Sequence, residues 1–289
     1  MRVVSLLPSA TEIVASIGMQ SALVGRSAEC DWPPRVLNLP VVTAARVPTE
    51  GLGSRAIDAG VHEAIAEGAS LYAVDERLIR ELQPDLVITQ DLCEVCAVSS
   101  GEVRSIRGLG ADVLSLDPRT VGQIEGTVDT IADRLGVCER GSGVVHEMRR
   151  TILEAERSVH GHPPRRVVVL EWVDPPFACG HWLPEMVDMA GGVELLGREG
   201  EPSRQVTWDD VRAADPELLV LAACGFDAHR TADEAGELPL DVPAVAVDAN
   251  ARFSRPAPRV AEGVAQLAYL FHPEAAADPG YPAVVVTPA

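Results

Sequence analysis

The sharpest chemical signal in the sequence is a pair of cysteines separated by two residues, Cys93-Glu94-Val95-Cys96. Two thiols at this spacing can share one metal ion or form a redox-active pair. Cys30 and Cys224 also follow predicted strands, so all four thiols would converge on one cleft if the strands are parallel. This pattern predicts a zinc or iron–sulfur site; the alternative is that the cysteines are incidental to function.

A second group of candidates consists of aromatic and charged residues near predicted strand ends. His181 is either a metal ligand or a residue that bonds to the backbone at a helix start. Trp182 and Trp32 either line a ligand or pack inside the protein. Glu29 would meet a cationic ligand or a metal, and Arg255 an anionic group, unless both are ordinary surface charges.

Several common enzyme motifs do not occur in the sequence. It contains no Walker A loop, no G-x-G-x-x-G helix opening and no G-x-S-x-G elbow. Asp209-Asp210 is typical of acidic residues at the start of a helix. These absences leave the corresponding enzyme classes without support, and we predict a protein that binds a small ligand. The alternative is a cytosolic metalloprotein or thiol-dependent enzyme that uses the cysteines.

The elements that must position these residues occur as a repeat. Pro84-Asp85-Leu86-Val87-Ile88 in the first half matches Pro216-Glu217-Leu218-Leu219-Val220 in the second. Each segment follows a short predicted helix, Asp75–Leu82 or Trp208–Ala214, and each leads to a cysteine-bearing loop. Strands that alternate with helices predict parallel sheets. The predicted fold class is α/β, with two Rossmann-like lobes joined by one long backbone helix.

The domain boundaries follow from that long helix. Residues 140–160 carry an apolar stripe at helical spacing, and Pro163-Pro164 ends it. We predict an N-terminal α/β lobe at 1–138, a linking helix at 139–162, a C-terminal α/β lobe at 163–275 and a tail at 276–289. Ser9 and Glu12 are expected to form a capping box, residues 43–53 a loop, and residues 283–286 either an edge strand or a loose end.

Composition limits the partners. The formal net charge is −19, which disfavours nucleic acid and anionic membrane surfaces, and no apolar run is long enough to insert into a membrane. The first residues predict a strand rather than a signal peptide. We therefore expect a cytoplasmic protein, or a periplasmic or extracellular one if a signal peptide has been removed.

Several segments, spread over roughly residues 2–272, together form a family pattern. They are Ser5-Leu6-Leu7-Pro8-Ser9-Ala10-Thr11-Glu12, Asp31-Trp32-Pro33-Pro34, Gln83-Pro84-Asp85-Leu86-Val87-Ile88, Pro175-Pro176-Phe177, Gly191-Gly192 and Ser254-Arg255-Pro256-Ala257-Pro258-Arg259. In this order they resemble the helix-linked substrate-binding proteins of ABC importers, specifically the cobalamin-binding branch. The chain also resembles a cytosolic offshoot of that family whose members carry the cysteine pair.

This resemblance implies capture of a cobalamin, another corrinoid or a related metal chelate between two lobes, with no chemistry. Phe177 falls on a ligand-contact position of the family, whereas Glu29, Leu71 (beside Tyr72) and Ser203 stand where other pocket aromatics are expected. The predicted ligand-binding residues are Ser9, Glu29, Trp32, Tyr72, Phe177, His181, Trp182, Phe253 and Arg255.

The resemblance also implies a partner for the lobe tops. In the family, acidic residues there dock onto arginines of the membrane transporter. Asp209 falls on one such position, and Arg77 stands at the other with Glu76 beside it. We therefore expect Glu76 and Asp209 to contact an ABC importer if the protein is exported.

Overall fold

The computed structural model describes residues 1–47, 49, 51–67, 70–91, 98–236 and 238–287. The chain falls into two units. The first contains Met1–Pro118 and Glu125–Val145, and the second contains Arg119–Ile124 and His146–Ala289. Each unit holds a β-sheet with helices, and the last boundary between the units, at residues 145 and 146, falls within a 22-residue helix.

Strands and helices alternate in the first unit. In chain order its elements are β1 (Val3–Ser5), α1 (Pro8–Ser16), β2 (Leu23–Arg26), β3 (Thr43–Ala45), α2 (Ser54–Ala66), β4 (Tyr72–Val74), α3 (Glu76–Leu82), β5 (Leu86–Thr89), α4 (Ser100–Ser105), β6 (Asp112–Ser115), α5 (Val121–Arg134) and α6 (Cys138–Val159). Helix α5 begins in the second unit, and α6 ends there.

Four of these strands form a parallel sheet in the order β2-β1-β5-β6. Every residue of β1 and β5 is buried. Their uninterrupted apolar runs, Val3-Val4 and Leu86-Val87-Ile88, suit strands that are covered on both faces. One core cluster of this unit contains Val4, Leu6, Ile79, Val87 and Val103.

The start of α1 differs from the prediction. A capping box at Ser9 and Glu12 is expected, but the helix begins at Pro8, and Leu7, whose side chain cannot cap a helix, is the N-cap residue. Proline suits the first helical position because its missing N–H needs no partner there and its φ is already helical. Ser9 and Glu12 therefore lie inside the helix, where both are buried.

Residues 43–53 contain a strand that the sequence does not predict. Thr43–Ala45 forms β3, which pairs antiparallel with β4 in a separate two-stranded sheet. Three residues are too few to show an alternating pattern, and the partner strand is distant in the chain. The expectation of a loop is therefore wrong for the first part of this segment.

The apolar stripe of α6 behaves as its spacing predicts. Its members are all buried: Val145, Met148, Ile152, Ala155 and Val159. The exposed side of the helix carries Arg150, which is ion-paired with Glu147 and Glu154. The helix ends shortly before Pro163-Pro164, as proline requires.

The second unit repeats the alternation with additional strands. Its elements are β7 (Arg165–Val173), β8 (Pro176–Ala178), α7 (Leu183–Met189), β9 (Gly192–Glu194), β10 (Arg204–Gln205), α8 (Trp208–Ala214), β11 (Leu218–Leu221), α9 (Ala228–Ala235), β12 (Ala244–Val247), α10 (Ala249–Arg252), α11 (Val260–Phe271) and β13 (Ala283–Val286).

The second sheet is mixed rather than wholly parallel. Its order is β10-β8-β7-β11-β12-β13, with β9 paired to β7. The pairs of β7 with β9 and β11, and of β11 with β12, are parallel, whereas β8, β10 and β13 run antiparallel to their neighbours. Only two residues, Asp174 and Pro175, join β7 to β8, and so short a link cannot make a parallel connection. The C-terminal tail forms β13 at the edge of this sheet. An edge strand is one of the two states predicted for residues 283–286.

The internal duplication is visible in hydrogen bonds. In the first unit, the backbone N–H of Arg2 donates to Asp85 Oδ2 at 2.6 Å, and the guanidinium donates to the last residue of α3 at 2.6 Å. In the second unit, the N–H of Arg166 donates to Glu217 Oε2 at 2.9 Å, and the guanidinium donates to the last residue of α8 at 2.8 Å. The predicted fold class, α/β with two Rossmann-like lobes and a long helix, is confirmed.

Candidate functional site

The carboxyl ends of the parallel strands bring the predicted residues together within each unit. Crossover connections leave these ends at one edge of a sheet, where open α/β proteins bind ligands. In the first unit, Ser9, Glu29, Cys30 and Trp32 follow β1 or β2. In the second unit, Cys224, Phe253 and Arg255 follow β11 or β12. Phe177 lies in β8, which runs antiparallel to β7, and His181 and Trp182 follow β8. The hydrogen bond from Trp182 to the Phe253 carbonyl joins this segment to the loop after β12.

The loop after β2 buries its cysteine and exposes its tryptophan. The Arg26 guanidinium donates to three carbonyls of this loop at 3.0–3.2 Å, which fixes its shape. Cys30 is fully buried; the Thr11 hydroxyl donates to its sulfur at 3.0 Å, and Ser27 Oγ lies 3.1 Å from it. Trp32 is 45% exposed. The loop therefore offers an aromatic surface to a ligand.

Three other predicted residues of the first unit have different surroundings. Ser9 is buried in α1, and Glu29 is exposed in the loop after β2. Tyr72 lies in β4, is partly buried and packs against the core of this unit. Among these three, Glu29 is the one that is exposed.

A carboxylate network that sequence reasoning missed lies after β5 and β6. Asp91 accepts hydrogen bonds from the Ser100 N–H at 2.8 Å and from the Ser115 hydroxyl at 2.9 Å, while its own N–H donates to Asp117 Oδ1 at 2.5 Å. Hydrogen bonding from Ser100, followed by Ser115 and the charge of Arg104, lowers the pKa of Asp91. The carboxylate is thus ionised at neutral pH. The sequence signal that could have identified Asp91 is its position two residues after a predicted strand.

The cysteine pair Cys93 and Cys96 lies outside the described residues. Cys224 is exposed after β11, where its N–H donates to the carbonyl of Glu171 at 2.9 Å. A metal role for Cys30, Cys93, Cys96 and Cys224 stays a prediction.

A further thiol, Cys179, is deeply buried at the end of β8. Burial, followed by the nearby carboxylates of Glu194 and Glu171, raises its pKa well above the ordinary value. A protonated thiol is a poor nucleophile. Cys179 is therefore suited to packing rather than to reaction.

The two predicted docking carboxylates occupy equivalent places. Glu76 and Asp209 lie in the first turns of α3 and α8, which are capped by the side chains of Asp75 and Thr207. Because each helix leads into the start of a parallel strand, its first turn lies at the carboxyl edge of the sheet in its own unit. Both carboxylates are exposed and ion-paired, Glu76 with Arg80 at 3.1 Å and Asp209 with Arg212.

Aromatic residues gather at the carboxyl end of β7. The ring of Trp172 lies 5.1 Å from that of Phe226, and the Arg230 guanidinium stacks 3.7 Å from the Phe226 ring centre. Trp172 also pairs across the strands with Phe177, which is half-buried. Among the described residues, the buried Trp172 Nε1 has no hydrogen-bond acceptor. The rings of this cluster therefore form an apolar group beside the carboxyl end of β7.

His181 is held in place by backbone contacts. It has a left-handed conformation, φ +51°; its N–H donates to the Glu201 carbonyl at 2.7 Å, and its carbonyl accepts from the Gly200 N–H at 2.9 Å. Its ring centre lies 5.7 Å from that of Trp182. Burial, followed by the charge of Arg119, lowers the pKa of His181. The imidazole is neutral at pH 7, the form that binds metals.

Trp182, Phe253 and Arg255 are more enclosed than a ligand-facing role suggests. Trp182 is buried, and its indole N–H donates to the Phe253 carbonyl at 2.8 Å. The Phe253 side chain is fully buried, and the buried Arg255 guanidinium donates to Asn250 Oδ1 at 2.7 Å. These residues support the edge on which His181 lies. Direct ligand contact by Trp182, Phe253 and Arg255 stays a prediction, and their burial does not favour it.

A family model described as periplasmic binding protein matches residues 3–239 of this chain. The chain belongs to the periplasmic binding protein family. The family resemblance read from the sequence is thereby confirmed, and this family comprises binding proteins rather than enzymes. The residues at the carboxyl edges are accordingly ligand-contact candidates and not catalytic groups.

Individual relatives of this family member are distant in sequence but cover most of its length. A protein of Yersinia pestis named vitamin B12-binding protein is 24% identical over 273 residues, which cover 92% of this chain and 84% of the relative. The crystal structure of a periplasmic vitamin B12-binding protein of Vibrio cholerae matches with a TM-score of 0.68 and 22% identity over 93% of this chain and 96% of that chain. A periplasmic heme-binding protein from Pseudomonas aeruginosa matches with a TM-score of 0.70 and 18% identity over 100% and 98%.

None of the helices within the described ranges has both the length and the apolar character needed to span a bilayer.

We predict that His181 titrates below the value of about 6.5 typical of histidine. Replacing Arg119 with Gln should raise the pKa of His181 partway, because it removes one of the two causes while burial remains. Nuclear magnetic resonance of the ring protons against pH measures both values. Arg157→Gln, at an exposed position on α6, is the control and should have no effect.

The lowered pKa of His181 also affects the stability of the folded protein. Because the folded-state pKa of His181 is depressed, the unfolded chain takes up the proton first as pH falls. The contribution of His181 to stability is therefore present above about pH 6.5 and is lost as pH falls towards the folded-state pKa. A His181 pKa at or above 6.5, or one that Arg119→Gln leaves unchanged, would contradict this account.

Proposed function

We propose that this protein binds a cobalamin, or another corrinoid, through the loops that follow its parallel strands. The observation that carries the proposal is the neutral, half-buried imidazole of His181 on a backbone segment fixed by two hydrogen bonds. A neutral imidazole is a suitable axial ligand for the metal of a flat macrocycle. Relatives named vitamin B12-binding protein support the same ligand class.

Aromatic side chains at the carboxyl edge of each unit suit a wide, flat ligand. Trp32 in the first unit and Phe177 in the second offer aromatic surfaces at the carboxyl edges. Such surfaces favour a macrocycle whose faces are apolar. Polar groups at its rim would then meet the charged residues of the same loops.

The charges favour a corrinoid over haem. Glu29, Asp91 and Asp117 are exposed at the carboxyl edge of the first unit, and the chain carries a net charge of −19. A corrin ring carries amide side chains, whose N–H groups can donate to carboxylates. Haem carries two carboxylates, and like charges placed together are unfavourable.

The test uses four probes with the full-length protein: aquocobalamin, cyanocobalamin, dicyanocobinamide and haemin. Absorption spectra and calorimetry should show one bound corrinoid per chain, with weaker binding of haemin. His181→Asn should weaken aquocobalamin binding at least about tenfold, equivalent to 1.4 kcal/mol, because Asn tolerates the left-handed backbone but does not replace imidazole as a ligand.

Cyanocobalamin provides the internal control because cyanide already occupies the position that His181 would take. Its affinity should change less in His181→Asn than that of aquocobalamin. His229→Asn, at an exposed histidine of the same unit, should match the wild type. The absence of both a spectral change and binding heat with every corrinoid would refute the proposal.

We also propose that Glu76 and Asp209 contact an ABC importer in an exported form of the protein. Both are exposed carboxylates in the first turns of equivalent helices, which supports a paired docking role. With a cobalamin importer reconstituted in liposomes, Asp209→Lys should abolish stimulation of ATP hydrolysis while leaving cobalamin affinity intact. Glu147→Lys on α6 is the charge-matched control, and full stimulation by Asp209→Lys would count against docking at this position.

The cytoplasm remains our predicted location. Docking to an ABC importer is proposed only for an exported form of the protein.

A further inference from the structure

We propose that His162, His272 and Glu274 form a binding site for a divalent transition metal, with Zn²⁺ as the expected ion. His162 lies between α6 and β7, His272 ends α11, and Glu274 follows two residues later. These positions are beside the amino-terminal end of β7, at the edge opposite the ligand-contact candidates of the same unit. The site is therefore separate from the proposed corrinoid contacts of the same unit.

The distances between potential ligand atoms fit a metal ion. Glu274 Oε1 lies 3.5 Å from His162 Nδ1 and 3.8 Å from His272 Nδ1. One ligand atom from each of the three residues lies within 4.8 Å of the other two. Tetrahedral zinc with bonds of about 2.0–2.1 Å separates its ligand atoms by about 3.4 Å. The side chains of His162 and Glu274 are 38% and 62% exposed, so they can move the small remaining distance.

His272 is oriented by a backbone partner. Its Nε2 lies 2.9 Å from the Gly191 carbonyl, which can only accept, so Nε2 donates there and Nδ1 is the ring nitrogen that faces Glu274. Metal-binding histidines commonly donate their second ring N–H in this way. Gly191 has φ +78°, and a Cβ there would stand 2.9 Å from His272 Nε2. Glycine thus permits the close approach that fixes this ring.

Three protein ligands leave one coordination position open. His272 and Glu274 also line a cavity of about 380 Å³, together with Arg165 and Glu217. The cavity gives space for water as the fourth ligand, which is the usual arrangement when three side chains bind zinc. A bound ion would connect the end of α6, the end of α11 and the segment leading to β13. Binding to the folded state should therefore raise the melting temperature.

The test uses full-length protein freed of metal with a chelator, in a Cys93→Ser/Cys96→Ser background. Calorimetry with Zn²⁺ should show one ion bound through this cluster. Cobalt(II) should bind competitively and give the absorption of a nitrogen and oxygen site, without the intense near-ultraviolet band of a cobalt–thiolate bond.

Loss of an outer-sphere partner typically weakens metal binding about 10- to 100-fold. Glu274→Gln and His162→Gln should each weaken zinc binding by more than this. Both should also lose the zinc-dependent rise in melting temperature. Both residues are exposed, so circular dichroism should show native folding for these variants. Glu199→Gln and His229→Gln, at exposed positions of the same unit, are the matched controls.

Two results would overturn this site. One is the absence of saturable zinc binding at zinc concentrations up to about 1 mM, since a Kd of 1 mM corresponds to a binding free energy of about −4.1 kcal/mol. The other is zinc or cobalt binding that Glu274→Gln and His162→Gln leave unchanged.

Discussion

Each parallel strand pair in this protein needs a crossover connection, because a tight turn would reverse the chain direction. This constraint places the carboxyl ends of β1, β2, β5 and β6 at one edge of the first sheet. It does the same for β7, β11 and β12 in the second. The positions of the loops that carry Trp32, Asp91 and Cys224 thus follow from strand pairing. His181 follows the antiparallel strand β8 instead, and the hydrogen bond from Trp182 to the Phe253 carbonyl joins its segment to the loop after β12. Complete burial of β1, β5 and β12 anchors both sets of loops.

Within these edges, rigid backbone contacts determine what each side chain can offer. Arg26 holds the loop after β2 so that Cys30 is enclosed and Trp32 is exposed. The hydrogen bonds of His181 with the 200–201 segment fix its backbone, and burial keeps its imidazole neutral. Each unit therefore presents a preorganised group at its own edge: an aromatic ring in the first unit and an imidazole in the second. Preorganisation reduces the entropy lost when a ligand is ordered on binding.

The sequence is most informative where local signals are strong. The predicted helix bounds Trp208–Ala214 match the structure because the capping residue Thr207 and the following Pro216 mark the two ends of this element. The structure differs where the deciding contact is nonlocal: β3 pairs with β4, Trp182 donates to Phe253, and Arg119 acts on His181. The cluster of His162, His272 and Glu274 is also nonlocal, since its members come from opposite ends of the second unit's sequence.

Hydrogen–deuterium exchange of the full-length protein, with and without aquocobalamin, tests the central claim most directly. The account predicts protection in the loops after the parallel strands, including residues 27–32 and 171–182. Binding that protects only other segments, such as residues 160–166 and 270–275, would contradict a ligand site at the carboxyl edges.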